Sequence, residues 1–351
     1  SFWDRHPYRD KEPANCGSLA KLRVRNAGLL FLARRNVLMR HLPNLQSLTS
    51  SELREILNKA IEIKANPADF YNLLHRESLA MLFQKTSTRT RVSFEAAMTE
   101  LGGHAIYIDW MTSNFVLSGI EHETEYLSRN VSCIMARLLY NEDLQKIMSA
   151  SQVPVINGCD EKFHPCQAMT DVLTIMEHHE GELADARLTY LGVQNNVSNS
   201  LVTICHKLGI HLTLATPDAE DNGESHDAYV QNLIAESNTV THTTDPREAV
   251  QGADFVYTDT WVDMQYFNNP DHREENDKKL KEMMPYQINS TLLEGVNCKV
   301  MHDMPIHDGF EISAEITKDP RAIMYQQAEN RLHAQKGILW WLYREADQLA
   351  G

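Results

Sequence analysis

Past residue 48 the chain alternates between two hydrophobic rhythms. Leu53, Ile56, Leu57, Ala60 and Ile61 recur at helical spacing, and Thr49 with Glu52 supplies the capping box that opens such a helix near residue 50. Beyond it, apolar runs at 79–83, 105–108, 133–136 and 153–156 are too short for helices and read as buried strands, with helical stretches between several of them. A second series starts at Arg187 with the strand-like RLTYLGV and a helix over 200–208 that Gly209 stops. Strands are predicted again at 211–215, 240–243, 255–258 and 299–302, with helices around 228–237, 247–250 and 276–284. This alternation predicts an α/β protein of two doubly wound parallel-sheet domains joined near 177–185. The expected organisation is an N-terminal arm over 1–44, one domain over 45–180, a second over 186–318, and a long amphipathic helix over 321–350 that packs across both. No internal repeat or low-complexity segment interrupts it.

Composition narrows the class. With 351 residues, 42% of them apolar, the chain can build two cores and leave a cleft between them. A formal charge of −15 makes nucleic acid an unexpected partner, so any anion must be held by a few locally placed basic residues. The six cysteines form no CxxC pair and read as free thiols of a reducing compartment. The apolar stretch at 27–33 is too short to cross a bilayer, which takes about 20 residues, and no membrane association is expected. Residues 17–51 carry Lys21, Arg23, Arg25, Arg34, Arg35 and Arg40 without an acid, a composition shared with organelle transit peptides, although Asp4, Asp10 and Glu12 precede it. The expected location is the cytoplasm, with an organelle after removal of a transit peptide as the alternative.

In parallel sheets, ligands sit beyond the carboxyl ends of strands. After the 79–83 run comes Lys85-Thr86-Ser87-Thr88-Arg89-Thr90-Arg91 and then a helical stretch closed by Gly102. A strand, then hydroxyls and arginines, then a helix N-terminus is the arrangement of an anion site, in which Arg89 can grip phosphate bidentately; the plainer alternative is a capped helix with exposed arginines. Following the 153–156 run, Phe163-His164-Pro165-Cys166-Gln167 offers an imidazole and an amide that could donate to a polarised carbonyl oxygen. Taken alone, His164 reads equally as a surface or capping residue.

In combination these segments resemble the aspartate/ornithine carbamoyltransferase family over about residues 36 to 345, most closely its ornithine branch: Ser87-Thr88-Arg89-Thr90-Arg91, Arg137 at a strand end, His164-Pro165-Cys166-Gln167, GVQNNVSNS over 192–200, Asp259-Thr260-Trp261-Val262, Tyr286-Gln287-Ile288-Asn289 and Glu329-Asn330-Arg331. The resemblance implies a carbamoyl-phosphate domain followed by an amine-binding domain, assembled as homotrimers. Ser87, Thr88, Arg89 and Thr90 would bind the phosphate; Arg137, His164 and Gln167 would hold and polarise the carbamoyl end, with Met304 beside it; Arg331 would close the anion cage. Asn196, Asp259, Asp263, Met264 and Asp303 would meet the amine. The reaction implied is transfer of the carbamoyl group of carbamoyl phosphate to a small amine or amino acid, ornithine first, with no cofactor, no metal and no covalent intermediate.

Two departures stand beside the acceptor. Where the family has Ser-Met-Gly this chain has Asp263-Met264-Gln265, and where it has His-Cys-Leu-Pro this chain has His302-Asp303-Met304-Pro305. Two added carboxylates favour a more cationic acceptor, such as putrescine, or another diamino acid such as lysine, and Asp303 could serve as the base. The family's glutamine lent by a neighbouring subunit is also missing; Asn114 is the nearest polar stand-in. A silent binding subunit is the remaining alternative.

Overall fold

In a computed structural model, residues 40–217, 223–262, 267 and 269–348 are described. The first helix, α1 (Ser50–Ala65), begins at the expected capping box: Thr49 Oγ1 accepts from the Glu52 N–H at 3.2 Å and Glu52 Oε2 accepts from the Thr49 N–H at 2.9 Å. There follow β1 (Ser78–Phe83), α2 (Thr88–Glu100), β2 (His104–Asp109), α3 (Ile120–Ser128), β3 (Cys133–Arg137), α4 (Asn141–Ala150), β4 (Val155–Cys159) and α5 (Pro165–His178). The strands form a parallel sheet of order β2-β1-β3-β4. Central β1 and β3 are buried along nearly their whole length while edge strand β2 is half-exposed, which is why the former read as unbroken apolar runs. The chain joins this sheet already at Leu42, fully buried and paired with Ile156.

The second series is β5 (Arg187–Leu191), α6 (Asn196–Leu208), β6 (His211–Ala215), α7 (Ala228–Glu236), β7 (Val240–Thr243), α8 (Pro246–Ala249), β8 (Phe255–Thr258), α9 (Arg273–Met283) and β9 (Lys299–His302). Its sheet is also parallel, of order β7-β6-β5-β8-β9. Helix α6 starts four residues earlier than its periodicity suggests, because Asn195 caps it by accepting from the Val197 and Ser198 N–H groups. It ends at Gly209, whose φ of +81° is the left-handed cap glycine allows. In both sheets strand order reverses once, between β1 and β3 and between β5 and β8, and the chemistry sits at those two crevices.

Helix α10 (Met324–Gln348) is unbroken. Its buried polar residues include Gln327, Asn330 and Arg331, and Gly337 lies against α1 so closely that an added Cβ would stand 2.6 Å from the Ile56 carbonyl oxygen and 3.0 Å from Ala60 Cβ. Gly337→Ala gains about 1 kcal/mol of helix propensity, but a backbone oxygen cannot swing aside and overpacking costs about 1–3 kcal/mol. We expect a lowered thermal midpoint; an unchanged or raised one in calorimetry would show that the two helices separate freely.

Candidate active site

At the carboxyl end of β1 the backbone turns into α2, with Ser87 as its cap: Ser87 Oγ accepts from the Thr90 N–H at 3.2 Å and donates to Thr90 Oγ1 at 3.0 Å. That turn sets Arg89 and Lys85 on a cavity of about 440 Å³. Arg137 reaches the same cavity from the end of β3, where the register with β4 slips between Ala136 and Arg137, a bulge that re-aims the side chain. Thr88 is exposed and faces a smaller neighbouring cavity of about 310 Å³, which shares Arg89, Asp303 and Arg331 with the larger one.

His164 is buried, not a surface residue, and its position is built from below. Asp160 Oδ1 accepts from the Lys162 and Phe163 N–H groups at 2.9 and 2.7 Å, folding the β4–α5 loop, and the His164 N–H donates to Ser200 Oγ at 2.8 Å. Arg331 then meets it from α10, 3.0 Å from His164 Nε2, while also donating to Thr90 Oγ1 at 2.9 Å and to Gln167 Oε1. A guanidinium has no acceptor, so Nε2 must be the bare nitrogen and Nδ1 carries the proton. That Nδ1 is buried and has no partner in the protein. Burial and then Arg331, Arg137, Lys85 and Arg89 hold the imidazole pKa well below its usual value, so the ring is neutral and presents one N–H. Cys166 beside it is no nucleophile, since burial pushes its thiol up to about 12.

Across the cavity, Asp259 follows β8, with Oδ2 accepting from Asn195 Nδ2 at 2.8 Å and Oδ1 from the Thr260 N–H at 2.6 Å. Asp303 follows β9 on the same cavity as Asp259, with Oδ1 buried and unpartnered. It lines both cavities; desolvation, and then Asp259, raise its pKa well above the carboxylate range. Met304 takes a left-handed φ of +66° and donates its N–H to His302 Nδ1 at 2.8 Å. Asn196 lines the cavity too, but its Nδ2 donates to the Asp160 carbonyl oxygen at 2.6 Å, and the amide that touches Asp259 belongs to Asn195. Asp263 and Met264 lie outside the described residues.

Sequence reasoning quoted Lys85 and Asn195 within motifs without giving them a role, and passed over Asp160, Asp171 and Gln327. Two of these had a signal: Asp171 is four residues past Gln167 on α5, and Gln327 four before Arg331 on α10, so each shares a helix face with a site residue. Among the described residues no group of three or more His, Cys, Asp or Glu side chains is arranged to hold a metal ion, and no helix is long and apolar enough to cross a membrane.

Residues 40–177 match the carbamoyl-P binding domain of the aspartate/ornithine carbamoyltransferases, and residues 184–342 match their Asp/Orn binding domain. The chain belongs to this family. It is 37% identical over 311 residues to a catabolic ornithine carbamoyltransferase of Halobacterium salinarum, covering 88% of this chain and 100% of that one. To an ornithine carbamoyltransferase of Archaeoglobus fulgidus it is 38% identical over 306 residues, 86% and 96% of the two chains. The solved ornithine carbamoyltransferase from Pyrococcus furiosus superposes with a TM-score of 0.76 at 37% identity, covering 86% of this chain and 96% of that one. The corresponding Giardia lamblia structure gives 0.76 at 29%, covering 87% and 99%. This carbamoyltransferase is therefore an enzyme that uses carbamoyl phosphate. Arg89, Arg137 and Arg331 with Lys85 and Lys279 are the local positive charge that an overall acidic chain needs for such an anion.

Proposed function

We propose that this carbamoyltransferase transfers the carbamoyl group to the side-chain amine of ornithine, giving citrulline and phosphate. One observation carries the reading: a single cavity has Arg89, Arg137 and Arg331 with the bare N–H of His164 on one wall and the Asp259–Asp303 pair on the other. Phosphate sits at the N-terminus of α2, held by Ser87, Thr88, Arg89 and Thr90 and enclosed by Arg331. The carbamoyl oxygen takes the proton donors of His164 Nδ1 and Arg137, while Gln167 and the Met304 backbone flank the amide end. The amine nitrogen attacks the carbamoyl carbon, the carbon–oxygen bond to phosphate breaks, and the arginines receive the leaving charge. The nitrogen grows acidic as it bonds, and Asp303, ionised once the cationic acceptor sits beside it, takes its proton while Asp259, Asn196, Asp263 and Met264 hold the rest of the acceptor.

The names of the relatives favour ornithine. Asp303, ionised beside a bound cation, favours a second acceptor class, cations without a carboxylate such as putrescine, because one carboxylate repels another. Phosphate release from carbamoyl phosphate with ornithine, lysine, a shorter diamino acid and putrescine tests both: ornithine is expected to lead, and no release with any amine sinks the reading. In the same assay His164→Ala should lower kcat by about 10²–10³, the usual cost of one donor to a developing oxyanion, with little change in the dissociation constant of inorganic phosphate. Small and equal effects would return His164 to a structural role.

The proposed division is a carbamoyl-phosphate domain up to residue 180 that takes in Leu42, an amine domain over 186–318 and helix α10 serving both, assembled as a homotrimer in which Asn114 of a neighbour replaces the family's glutamine. Exposed Met111, Val116 and Leu117 beside Asn114 suit such a contact. Light scattering should report three copies. The described cysteines are all buried free thiols, which suits the cytoplasm or another reducing compartment.

A further inference from the structure

Asp171 is a buried carboxylate that no step above uses. Its Oδ1 accepts from Gln167 Nε2 at 2.8 Å and from Gln327 Nε2 at 2.7 Å. Each amide is thereby turned so that its oxygen points away from Asp171. Gln167 Oε1 accepts from Arg331, and Gln327 Oε1 accepts from the His302 N–H at 2.8 Å. His302 in turn has both ring nitrogens committed: Nδ1 accepts from the Met304 N–H at 2.8 Å, so Nε2 carries the proton and lies 3.0 Å from Glu311 Oε1. A continuous run of buried hydrogen bonds therefore leads from Arg331 through Gln167, Asp171 and Gln327 to the turn bearing Asp303. Its donors point inward from both ends, Arg331 and Gln167 on one side and the His302 N–H and Gln327 on the other, and Asp171 Oδ1 is the acceptor on which they meet. Were Asp171 apolar, each amide would still be turned by its outer donor, but two buried N–H groups would lose their acceptor and nothing would join the Arg331 side to the His302 side.

We infer that Asp171 is a positioning residue that couples the two halves of the site, so that carbamoyl phosphate held by Arg331 and Gln167 orders the His302–Pro305 turn for the acceptor, and the acceptor does the same in return. The inference rests on the assignment of the two walls proposed above. Such coupling is reciprocal and appears as a change in one ligand's affinity when the other is bound. Gln327 is the link to remove, because it touches neither proposed substrate group.

The test measures acceptor affinity at low and at saturating carbamoyl phosphate, alongside calorimetry with inorganic phosphate. In the parent, saturation should tighten the acceptor by about tenfold, within the usual range for coupled sites. Gln327→Leu should bring that factor close to one while phosphate alone binds as in the parent. Gln327→Glu, which keeps the acceptor for His302 but turns an oxygen toward Asp171, should do the same if the leucine variant does not fold. Asp171→Asn, which can offer an oxygen to both amides, should restore most of the coupling relative to Asp171→Ala. The inference is overturned if the parent shows no coupling, if Gln327→Leu keeps it, or if phosphate and acceptor weaken together as in a general loosening. A parent that releases no phosphate with any amine indicts instead the functional reading on which the inference rests.

Discussion

Replacing Arg331 by alanine is expected to cost this carbamoyltransferase nearly all its turnover. The guanidinium does three things at once. It supplies one of the cavity's charges, it ties Thr90, Gln167 and His164 together across α2, α5 and α10, and by facing His164 Nε2 it dictates which nitrogen carries the proton. Without it His164 can present a bare Nδ1 where the carbamoyl oxygen needs a donor, and the polar atoms of Thr90 and Gln167 are left buried. Breaking a buried, hydrogen-bonded charge arrangement costs about 3–5 kcal/mol, and each 1.4 kcal/mol is about tenfold. kcat/KM for carbamoyl phosphate should therefore fall by about 10²–10³ or more. Arg331→Lys should recover only part, since an ammonium cannot bridge three partners in a plane. Steady-state kinetics within about threefold of the parent would remove Arg331 from the site, being less than a single charge-assisted hydrogen bond is worth.

Asp303→Asn should pull activity and stability in opposite directions. As the proposed base its loss should lower kcat with every acceptor, by about 10²–10⁴. For stability the sign follows from the raised pKa. The folded protein holds the Asp303 proton more tightly than the unfolded chain, whose aspartate titrates near 4. Stability is thus intact below about pH 4 and is lost as pH rises from there toward the raised folded pKa. Asparagine removes that loss. The variant should melt higher than the parent at pH 7–8, and the two midpoints should converge toward pH 4. Lower stability together with lower turnover would mark Asp303 as a structural member of the carboxylate pair; equal turnover would end its role as base.

Fold and chemistry were legible in the sequence to different degrees. Strands such as 79–83 and 255–258 showed as apolar runs because parallel strands are buried on both faces. Boundaries were less visible: α6 reaches back to Asn196 because a side-chain cap, not hydrophobic period, sets its start. Taken alone, His164 read equally as a surface or capping residue and only the family resemblance gave it a role; it does occupy the cap position of α5, and Arg331, 167 positions away, lies against its ring.

What the sequence by itself determined was the class: two α/β halves, hydroxyls and arginines at the start of α2, and an aspartate and histidine at strand ends, because these depend on local period and on residues adjacent in the chain. Only the tertiary structure decided the protonation of the site. The bare Nε2 of His164, the raised pKa of Asp303, and the orientation of Gln167 and Gln327 around Asp171 all depend on partners brought together from distant elements. A titratable group's state is set by burial and by the charges that surround it, and neither is a property of its neighbours in sequence.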